Sequence, residues 1–337
     1  MLTKKENYLR VLRGEIPEYI PEYTFGKMPG DTEEPTNWIV EPIVLRGERT
    51  ATGRKDIWGV EYVATYETGG ASLPKPNDFV LEDITKWRDV VKAPDISDVD
   101  WEKAIKKQMD ELNVDRSQTT VAFNLHFGYF QQLMALMGFT EGLMAMIEEP
   151  EEVKALLDYL CTFYCTVAEK SIDYIQPDVY TIMDDTAAWA NPFISPEMYR
   201  ELIKPFHDRQ LKFGRDRGLP ITMHDCGRCE DFIEDWREIG VTAWDPAQTS
   251  NDLDTIKKKY GRSFVISGGW DASGELALPG KTDEDIYLSV KETFDRLAPG
   301  GGYCFCGGFI GPVDDENTKH RNKVLRAAVR ELGSRYY

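Results

Sequence analysis

The chain has 337 residues, 42% of them hydrophobic, and a formal net charge of −18 at pH 7. This charge argues against nucleic acid or an anionic membrane surface as a partner, because both would repel the protein. The sequence contains no run of about 18 apolar residues that would predict a membrane span. Its first residues also lack the apolar stretch of a secretory signal. We therefore expect a cytoplasmic protein whose six cysteines stay reduced.

The first 110 residues are the least regular part of the sequence. The pattern predicts a short helix over 4–12, strands near 20–25 and 58–63, and a hairpin around 58–68. We expect this N-terminal portion, residues 1–110, to cap one end of the main fold. No linker or internal repeat separates it from the repeating β/α part at 111–337, so the chain is interpreted as one domain over 1–337.

From about residue 120, predicted strands and helices alternate. The strands cover 120–127, 179–183, 220–224, 243–244, 263–267 and 302–306, and the helices cover 129–146, 151–175, 196–217, 229–240, 251–260 and 282–297. Such alternation predicts an α/β fold with a parallel sheet. With the two earlier strands, the pattern favours a (β/α)8 TIM barrel with an irregular N-terminal extension. An open doubly wound sheet is the alternative, but no strand leads into a Gly-x-Gly-x-x-Gly turn.

Polar, chemically able residues recur where the predicted strands end. They are Asn124, His126, Asp184, Asp185, His224, Cys226, Asp245, Asp271, Cys304 and Cys306. Active sites of α/β barrels lie at the carboxyl ends of the strands. The sequence therefore predicts a functional site at this end of the barrel.

His224 and Cys226 are the most informative pair. They lie two residues apart at the end of a strand, and alternate residues of a strand point to the same face. An imidazole and a thiolate are typical zinc ligands, and a third protein ligand would leave a fourth position open for substrate. A histidine hydrogen-bonded in the core beside an inert thiol is the structural alternative. We interpret the pair as part of a metal site.

Three cysteines compete for the place of the third ligand. Cys306 is preferred because it is nearest to the predicted end of the last strand, and Cys304 lies on the same face of that strand. Cys229 also has a compact ligand spacing, but it falls in the first turn of the following predicted helix. Cys161 and Cys165 lie on an apolar helical stripe and are expected to be buried and inert.

Further residues near the strand ends are candidates for contact with substrate. Asp184 and Asp185 follow an apolar strand directly, and one of them is expected to face the cavity as a catalytic acid or base or to orient substrate. Asn124 and His126 are predicted to bind substrate, and Trp189 is predicted to stack on a flat ligand. A solvated turn for the acids and a satisfied core histidine for His126 are the alternatives.

Residues from about 121 to 330 resemble the uroporphyrinogen decarboxylase superfamily. The matching landmarks, in order, are Pro150-Glu151, Asp184-Asp185, Ile194-Ser195-Pro196, Lys204-Pro205, His224-Asp225-Cys226-Gly227, Gly268-Gly269-Trp270-Asp271, Pro299-Gly300-Gly301-Gly302-Tyr303 and Glu316-Asn317. The resemblance implies a (β/α)8 barrel, in agreement with the strand and helix pattern.

The resemblance also implies a choice between two activities. One branch of the superfamily consists of zinc-dependent methyltransferases linked to corrinoid proteins. Their His-x-Cys…Cys motif maps onto His224, Cys226 and Cys306. The porphyrinogen decarboxylases need no metal and carry an arginine-rich N-terminal signature, whereas residues 20–28 of this chain contain no arginine. The methyltransferase branch is therefore preferred.

The resulting hypothesis is a methyltransferase that binds Zn²⁺. It would move a methyl group between a small methylated substrate, such as an aromatic methyl ether, or a thiol, and the cobalt of a corrinoid such as methylcobalamin carried by a partner protein. Decarboxylation of a porphyrinogen-like substrate is the second hypothesis. The third is a non-catalytic barrel whose zinc only joins two strands, which would require four protein ligands and no open position.

Overall fold

A curled parallel sheet forms the centre of the molecule in this computed structural model, which describes residues 2–26, 33–49, 53–64, 72–311 and 315–337. In chain order, the strands of these residues are β1 (Asn37–Val40), β2 (Glu48–Arg49), β3 (Gly53–Lys55), β4 (Glu61–Ala64), β5 (Ser72–Pro74), β6 (Thr120–Asn124), β7 (Val179–Met183), β8 (Ile221–His224), β9 (Ala243–Ala247), β10 (Val265–Gly268) and β11 (Tyr303–Cys304). Within the described ranges, seven strands form the parallel sheet, in the order β1-β6-β7-β8-β9-β10-β11.

Helices connect and cover these strands. Their bounds are α1 (Lys4–Leu12), α2 (Trp87–Val90), α3 (Trp101–Leu112), α4 (Tyr129–Met137), α5 (Phe139–Glu148), α6 (Pro150–Ile175), α7 (Pro196–Leu202), α8 (Lys204–Arg215), α9 (Ile233–Glu238), α10 (Leu253–Tyr260), α11 (Asp283–Leu297) and α12 (Glu316–Gly333). Local sequence explains several starts: Ser195 caps α7, and Thr282 and Asp285 form a capping box at α11. The predicted α/β class with a parallel sheet is confirmed, and the architecture is compatible with a TIM-barrel-like fold.

A segment before β1 contacts both edges of the parallel sheet. On one side, Glu22 pairs with Phe305 in parallel, and the amide of Tyr23 donates to the carbonyl of Phe305 at 2.7 Å. On the other side, the amide of Ile39 in β1 donates to the carbonyl of Phe25 at 3.0 Å. The predicted strand near 20–25 therefore corresponds to a segment that lies between β1 and the chain after β11.

The prediction of a barrel strand at 58–63 is wrong. Residues of this stretch belong to a four-stranded antiparallel sheet, in the order β2-β3-β4-β5, which is separate from the parallel sheet. Asp56, in the turn between β3 and β4, accepts a hydrogen bond from Gln132 of α4 at 3.2 Å. Of the predicted hairpin, residues 65–68 lie outside the described residues.

Two predicted long helices are each divided in the structure. The helix predicted over 129–146 is interrupted at Gly138, which has a φ of +83° and closes α4. The helix predicted over 196–217 is interrupted at Ile203, because Pro205 lacks an amide donor and begins a new helix as one of its first residues. Among the elements that were not predicted are β1, in the irregular early sequence, and α12, in the charged C-terminal segment.

Helix α1 closes the amino ends of the parallel strands. The amide of Lys5 donates to the carbonyl of Gln118, just before β6 begins at Thr120. The buried side chains of α1 pack against small residues of four strands, in a cluster that contains Tyr8, Leu9, Val11, Leu12, Ala122, Val179, Ala243 and Val265. Among the described residues, no helix has both the length and the apolar character that a membrane crossing requires.

Candidate metal centre

The carboxyl end of β8 brings a nitrogen donor and a sulfur donor together. His224 is the last residue of β8, and Cys226 follows it in the next turn. The Nε2 atom of His224 and the Sγ atom of Cys226 are 3.9 Å apart. Two tetrahedral zinc ligands at usual bond lengths are about 3.6 Å apart. The pair therefore has a spacing at which both atoms can bind one ion.

The turn after His224 depends on glycine. Gly227 has a φ of +94°, and a Cβ atom at this position would lie 2.5 Å from the carbonyl oxygen of Ala187. Only glycine fits so close to a neighbouring backbone in the left-handed region. This close approach holds the Cys226 turn against the loop that follows β7.

Asp245 fixes the imidazole of His224 from behind. Its buried Oδ2 atom accepts a hydrogen bond from Nδ1 of His224 at 2.7 Å. A proton on Nδ1 leaves the lone pair of Nε2 free to bind a metal, as in the carboxylate–histidine–zinc arrangement. Burial alone would lower the pKa of His224, but attraction to Asp245 and Cys226 outweighs it and raises that pKa well above its ordinary value.

Two further groups of the centre are the ring of Phe25 and the half-buried thiol of Cys226. The ring of Phe25 meets the imidazole of His224 edge to face, with centroids 5.9 Å apart. Burial raises the pKa of the Cys226 thiol, and the neighbouring His224 partly opposes this effect. Without a metal, Cys226 therefore has little tendency to ionise, and a bound cation would favour its thiolate.

Asp185 lies on the opposite side of the pair. Its Oδ1 atom accepts a hydrogen bond from the amide of Cys226 at 2.9 Å, and its Oδ2 atom accepts one from Nε2 of Gln131 at 2.8 Å. Ligand atoms of Asp185, His224 and Cys226 all lie within 4.8 Å of one another. All three side chains are half-buried, so the group is reachable from solvent.

The neighbouring acid, Asp184, has a different environment. It is fully buried and accepts hydrogen bonds from the amides of Phe130 and Gln131 at 2.9 and 3.0 Å. Gly128 makes room for it, because a Cβ atom there would lie 2.3 Å from Oδ1 of Asp184. Asp184 thus anchors the start of α4 to the end of β7. A catalytic role for Asp184 stays a prediction.

The structure separates the three candidate cysteines. Cys304 is fully buried in the cluster that contacts α1, and the thiol of buried Cys229 donates to Asp225. Cys306 is half-buried and, with Phe25 and Tyr23, lines a cavity of about 1020 Å³. It does not belong to the 4.8 Å group of Asp185, His224 and Cys226 among the described residues. Its assignment as the third ligand stays a prediction.

Cys306 lies within electrostatic range of two residues of this region, Asp245 and Cys226. Burial is the main cause of its raised pKa, and the charges of Asp245 and, more weakly, Cys226 add to it. The other two cysteines, Cys161 and Cys165, lie buried on α6 with their sulfurs 3.7 Å apart. This agrees with the prediction that they are core residues.

The predicted substrate-binding residues lie at two places after β6 and β7. Asn124 is buried and accepts a hydrogen bond from the amide of His126 at 2.7 Å. His126 is exposed, and its Nδ1 atom lies 2.8 Å from Oε1 of Glu41. Trp189, in the loop after β7, is 52% exposed. Their contact with substrate stays a prediction.

The sequence did not reveal the roles of two residues that shape the site, Asp245 and Gln131. Asp245 was one of several polar residues at strand ends, and nothing in its spacing showed that it would bind His224. Gln131 lies in the apolar start of α4 and carries no sequence signal, because its partner Asp185 is 54 residues away. The donor set fits zinc in its chemistry: one imidazole, one thiol, a nearby carboxylate and a carboxylate behind the imidazole.

Comparison with known proteins identifies the family. The model of the uroporphyrinogen decarboxylase (URO-D) family matches residues 65–317, so the chain belongs to this family. The predicted resemblance is thereby confirmed. The chain matches no curated protein at a significant level.

A solved structure shares the fold of this chain. The chain is similar to a methyltransferase from Methanosarcina mazei, with 15% identity, a TM-score of 0.62, and coverage of 98% of this chain and 99% of that chain. At this identity the similarity shows a shared fold. A 3-keto-L-gulonate-6-phosphate decarboxylase from Vibrio cholerae is similar at 10% identity, covering 68% of this chain and 79% of that chain, but its TM-score of 0.32 carries no weight.

Proposed function

We propose that the protein is a zinc-dependent methyltransferase. It would move a methyl group between a small methylated substrate or a thiol and the cobalt of a corrinoid carried by a partner protein. The observation that carries this proposal is the placement of His224 Nε2 and Cys226 Sγ 3.9 Å apart, with Asp245 bound to the far side of the imidazole. The shared fold with a protein described as a methyltransferase supports it.

His224 and Cys226 would hold the metal, with Cys306 as the third ligand that the sequence predicts. When bound, zinc would supply a Lewis acid that favours negative charge on the substrate heteroatom. Asp245 keeps the His224 imidazole in the tautomer that presents Nε2. Asp185 is the acid beside the centre, and Asn124, His126 and Trp189 would bind substrate at the rim.

We also propose that the parallel sheet closes into a (β/α)8 barrel. The segment at 21–25 hydrogen-bonds to the chain after β11 on one side and to β1 on the other, as an eighth strand would. Its closure would place Phe25 and Cys306 at the carboxyl rim beside His224. The antiparallel sheet β2–β5 would then border the rim, where a corrinoid-carrying partner has to approach.

The test combines metal analysis with an activity assay. Zinc content is measured for the purified chain and for the variants H224A and C226A, with H320A as the matched control, because His320 is exposed and pairs with Asp283 on the surface. We expect about one zinc per chain in the wild type and in H320A. Each site variant should lose zinc affinity by at least about 100-fold, since a direct ligand matters more than an outer partner.

Methyl transfer is then followed through the absorbance change of free methylcobalamin with thiol acceptors, and of reduced cobalamin with methoxylated aromatics. We expect transfer by the wild type and H320A and none by H224A or C226A. Retention of zinc by both site variants would contradict the proposal. So would a zinc-loaded wild type that transfers methyl in neither direction.

A further inference from the structure

We infer that Asn251 and Gln248, in the loop after β9, are positioning residues of the metal centre. They act through the turn at residues 226–230, the Cys226 turn, which carries the thiol. This inference rests on the proposed zinc centre and deepens it, because it identifies what sets the spacing of the two donor atoms. In the sequence, residue 251 was only the first residue of a predicted helix.

The side-chain amide of Asn251 binds the Cys226 turn in both directions. Its Oδ1 atom accepts hydrogen bonds from the backbone amides of Cys229 and Glu230 at 2.8 and 3.0 Å. Its Nδ2 atom donates to the carbonyl of Gly227 at 2.9 Å. Asn251 is only 6% exposed, so water has little access to these contacts. One buried side chain therefore satisfies three backbone groups of the turn.

The same loop supplies the acceptor for the residue that follows Cys226. The Oε1 atom of Gln248 accepts a hydrogen bond from the amide of Gly227 at 2.6 Å. The other two amides of the turn, those of Cys226 and Arg228, donate to the loop after β7. Five consecutive amides are thus bound from outside the turn, and irregular backbone keeps its conformation only while such partners are in place.

The segment that begins in β9 contacts both donor residues. Asp245 of β9 binds Nδ1 of His224, and the loop after β9 binds the turn that carries Cys226. Residues 245–251 therefore fix the imidazole and the thiol relative to each other. The distance of 3.9 Å between Nε2 of His224 and Sγ of Cys226 depends on this segment.

Loss of these contacts should disturb metal binding rather than stability alone. Without the side chain of Asn251, two amides and one carbonyl of the Cys226 turn lose their partners, and buried backbone groups without partners are unfavourable. The turn would then change its conformation to find other partners. The thiol of Cys226 moves with the turn, so its distance from the imidazole of His224 would no longer be fixed.

The experiment replaces zinc by Co²⁺, whose visible absorption reports the number and type of ligands without any activity measurement. Cobalt affinity is measured by competition with a chelator for the variants N251A and Q248A. The conservative variant Q248E is included because glutamate keeps the oxygen that accepts from Gly227.

The matched control is N7A. Asn7 is a buried residue of α1 that also binds the backbone in both directions: it donates to the carbonyl of Tyr19 and accepts from the amide of Glu18, both at 2.8 Å. It lies at the amino ends of the parallel strands, away from the centre. N7A therefore separates a general loss of stability from a change at the metal.

We expect N251A to change the thiolate-to-cobalt absorption at saturating Co²⁺ and to bind the ion about 10–100-fold more weakly, as is usual for residues that orient a ligand. Q248A should lose about tenfold in affinity, and Q248E should recover the wild-type spectrum. N7A should unfold at a lower temperature but keep the spectrum and an affinity within about threefold of the wild type.

A folded N251A or Q248A protein with an unchanged spectrum and an affinity within about threefold of the wild type would overturn the inference. An equal loss of affinity in N7A and N251A would also overturn it, since the effect would then be a general destabilisation. Thermal unfolding of the metal-free variants checks their fold. If N251A does not fold, Q248A and Q248E decide by the same criteria.

Two further variants separate this inference from the proposed function. If H224A and C226A retain Co²⁺ unchanged, the proposed zinc centre itself is wrong. If they lose Co²⁺ while N251A and Q248A retain it, only the positioning role of the loop after β9 is wrong.

Discussion

The two ends of the same parallel strands differ in polarity and in burial. At their amino ends, small apolar residues such as Ala122 and Ala243 meet the buried side chains of α1. At their carboxyl ends, the chain presents Asp185, His224 and Cys226, which are half-buried and carry donor atoms. Only about five residues of strand separate the two environments.

This difference shows that the two ends of one sheet have different roles: the amino ends contribute mainly to stability, and the carboxyl ends carry the groups of the candidate metal centre. The amino ends are filled by apolar side chains of α1 and of the strands, and none of the three donors Asp185, His224 and Cys226 belongs to this cluster. The carboxyl ends keep polar groups, and hydrogen bonds hold these groups to neighbouring elements: Asp184 accepts from the start of α4, and Asp245 accepts from His224 of β8. Substitutions at the two ends should therefore affect different measured quantities.

The largest effect is expected at the amino ends. The substitution L12A removes a side chain that is 5% exposed and packs in the α1 cluster. The loss of burial and the cavity left behind should lower the free energy of unfolding by about 2–5 kcal/mol. Urea denaturation measures this change. The matched control is L288A, on the exposed face of α11, where we expect less than about 0.5 kcal/mol.

The zinc affinity of folded L12A should equal that of the wild type. A folded L12A protein that has lost zinc affinity would contradict the claim that the two ends of the strands have separate roles. It would mean that the packing of α1 controls the geometry of the centre at the carboxyl ends.

A smaller effect is expected from D245N at the carboxyl ends. This change replaces the carboxylate that accepts from His224 Nδ1 and can reverse the tautomer of the imidazole. Zinc affinity should fall by about 10–100-fold. Chelator competition measures the affinity, and D254N serves as the surface control, because Asp254 is an exposed residue of α10 that pairs with Arg296. Equal zinc affinities of D245N and the wild type would show that His224 is not held for metal binding.

The smallest effect is expected in the pH dependence of stability, measured as the free energy of unfolding of the metal-free protein. The pKa of His224 is raised in the folded state, so the native protein holds this proton more tightly than the unfolded chain. The resulting stabilisation is fully present below about pH 6.5 and is lost as the pH rises through the folded-state pKa. Because a single proton is involved, the free energy of unfolding changes by at most about 1.4 kcal/mol per pH unit.

Urea denaturation of the zinc-free protein at a series of pH values measures how the free energy of unfolding changes with pH. We expect H224Q to flatten this dependence, whereas H320A should leave it unchanged, since His320 is exposed. A pH dependence of the free energy of unfolding that is the same in H224Q and in the wild type would contradict the assigned environment of His224.

The sequence predicted the parallel α/β architecture because it follows from local patterns. The strand at 179–183 and the helix at 4–12 agree with the structure in their bounds. The pair His224 and Cys226 was also predictable, since two residues of one strand separated by one position share a face. Family membership, too, was visible in the order of short motifs.

What was not predictable depends on contacts between distant parts of the chain. Residues 58–63 read as a strand, but their partners are other early strands rather than the parallel sheet. The roles of Asp184 and Asp185 were indistinguishable in sequence, and the fold separates them because one meets the amides of α4 and the other meets Cys226. Gln131 acquires its role only through that contact.

One measurement tests the whole account most directly: X-ray diffraction from crystals of the zinc-loaded protein, collected on both sides of the zinc absorption edge. The account predicts a single anomalous peak at bonding distance from Nε2 of His224 and Sγ of Cys226. A map without a peak between these two atoms, or with its only peak elsewhere in the molecule, would contradict it.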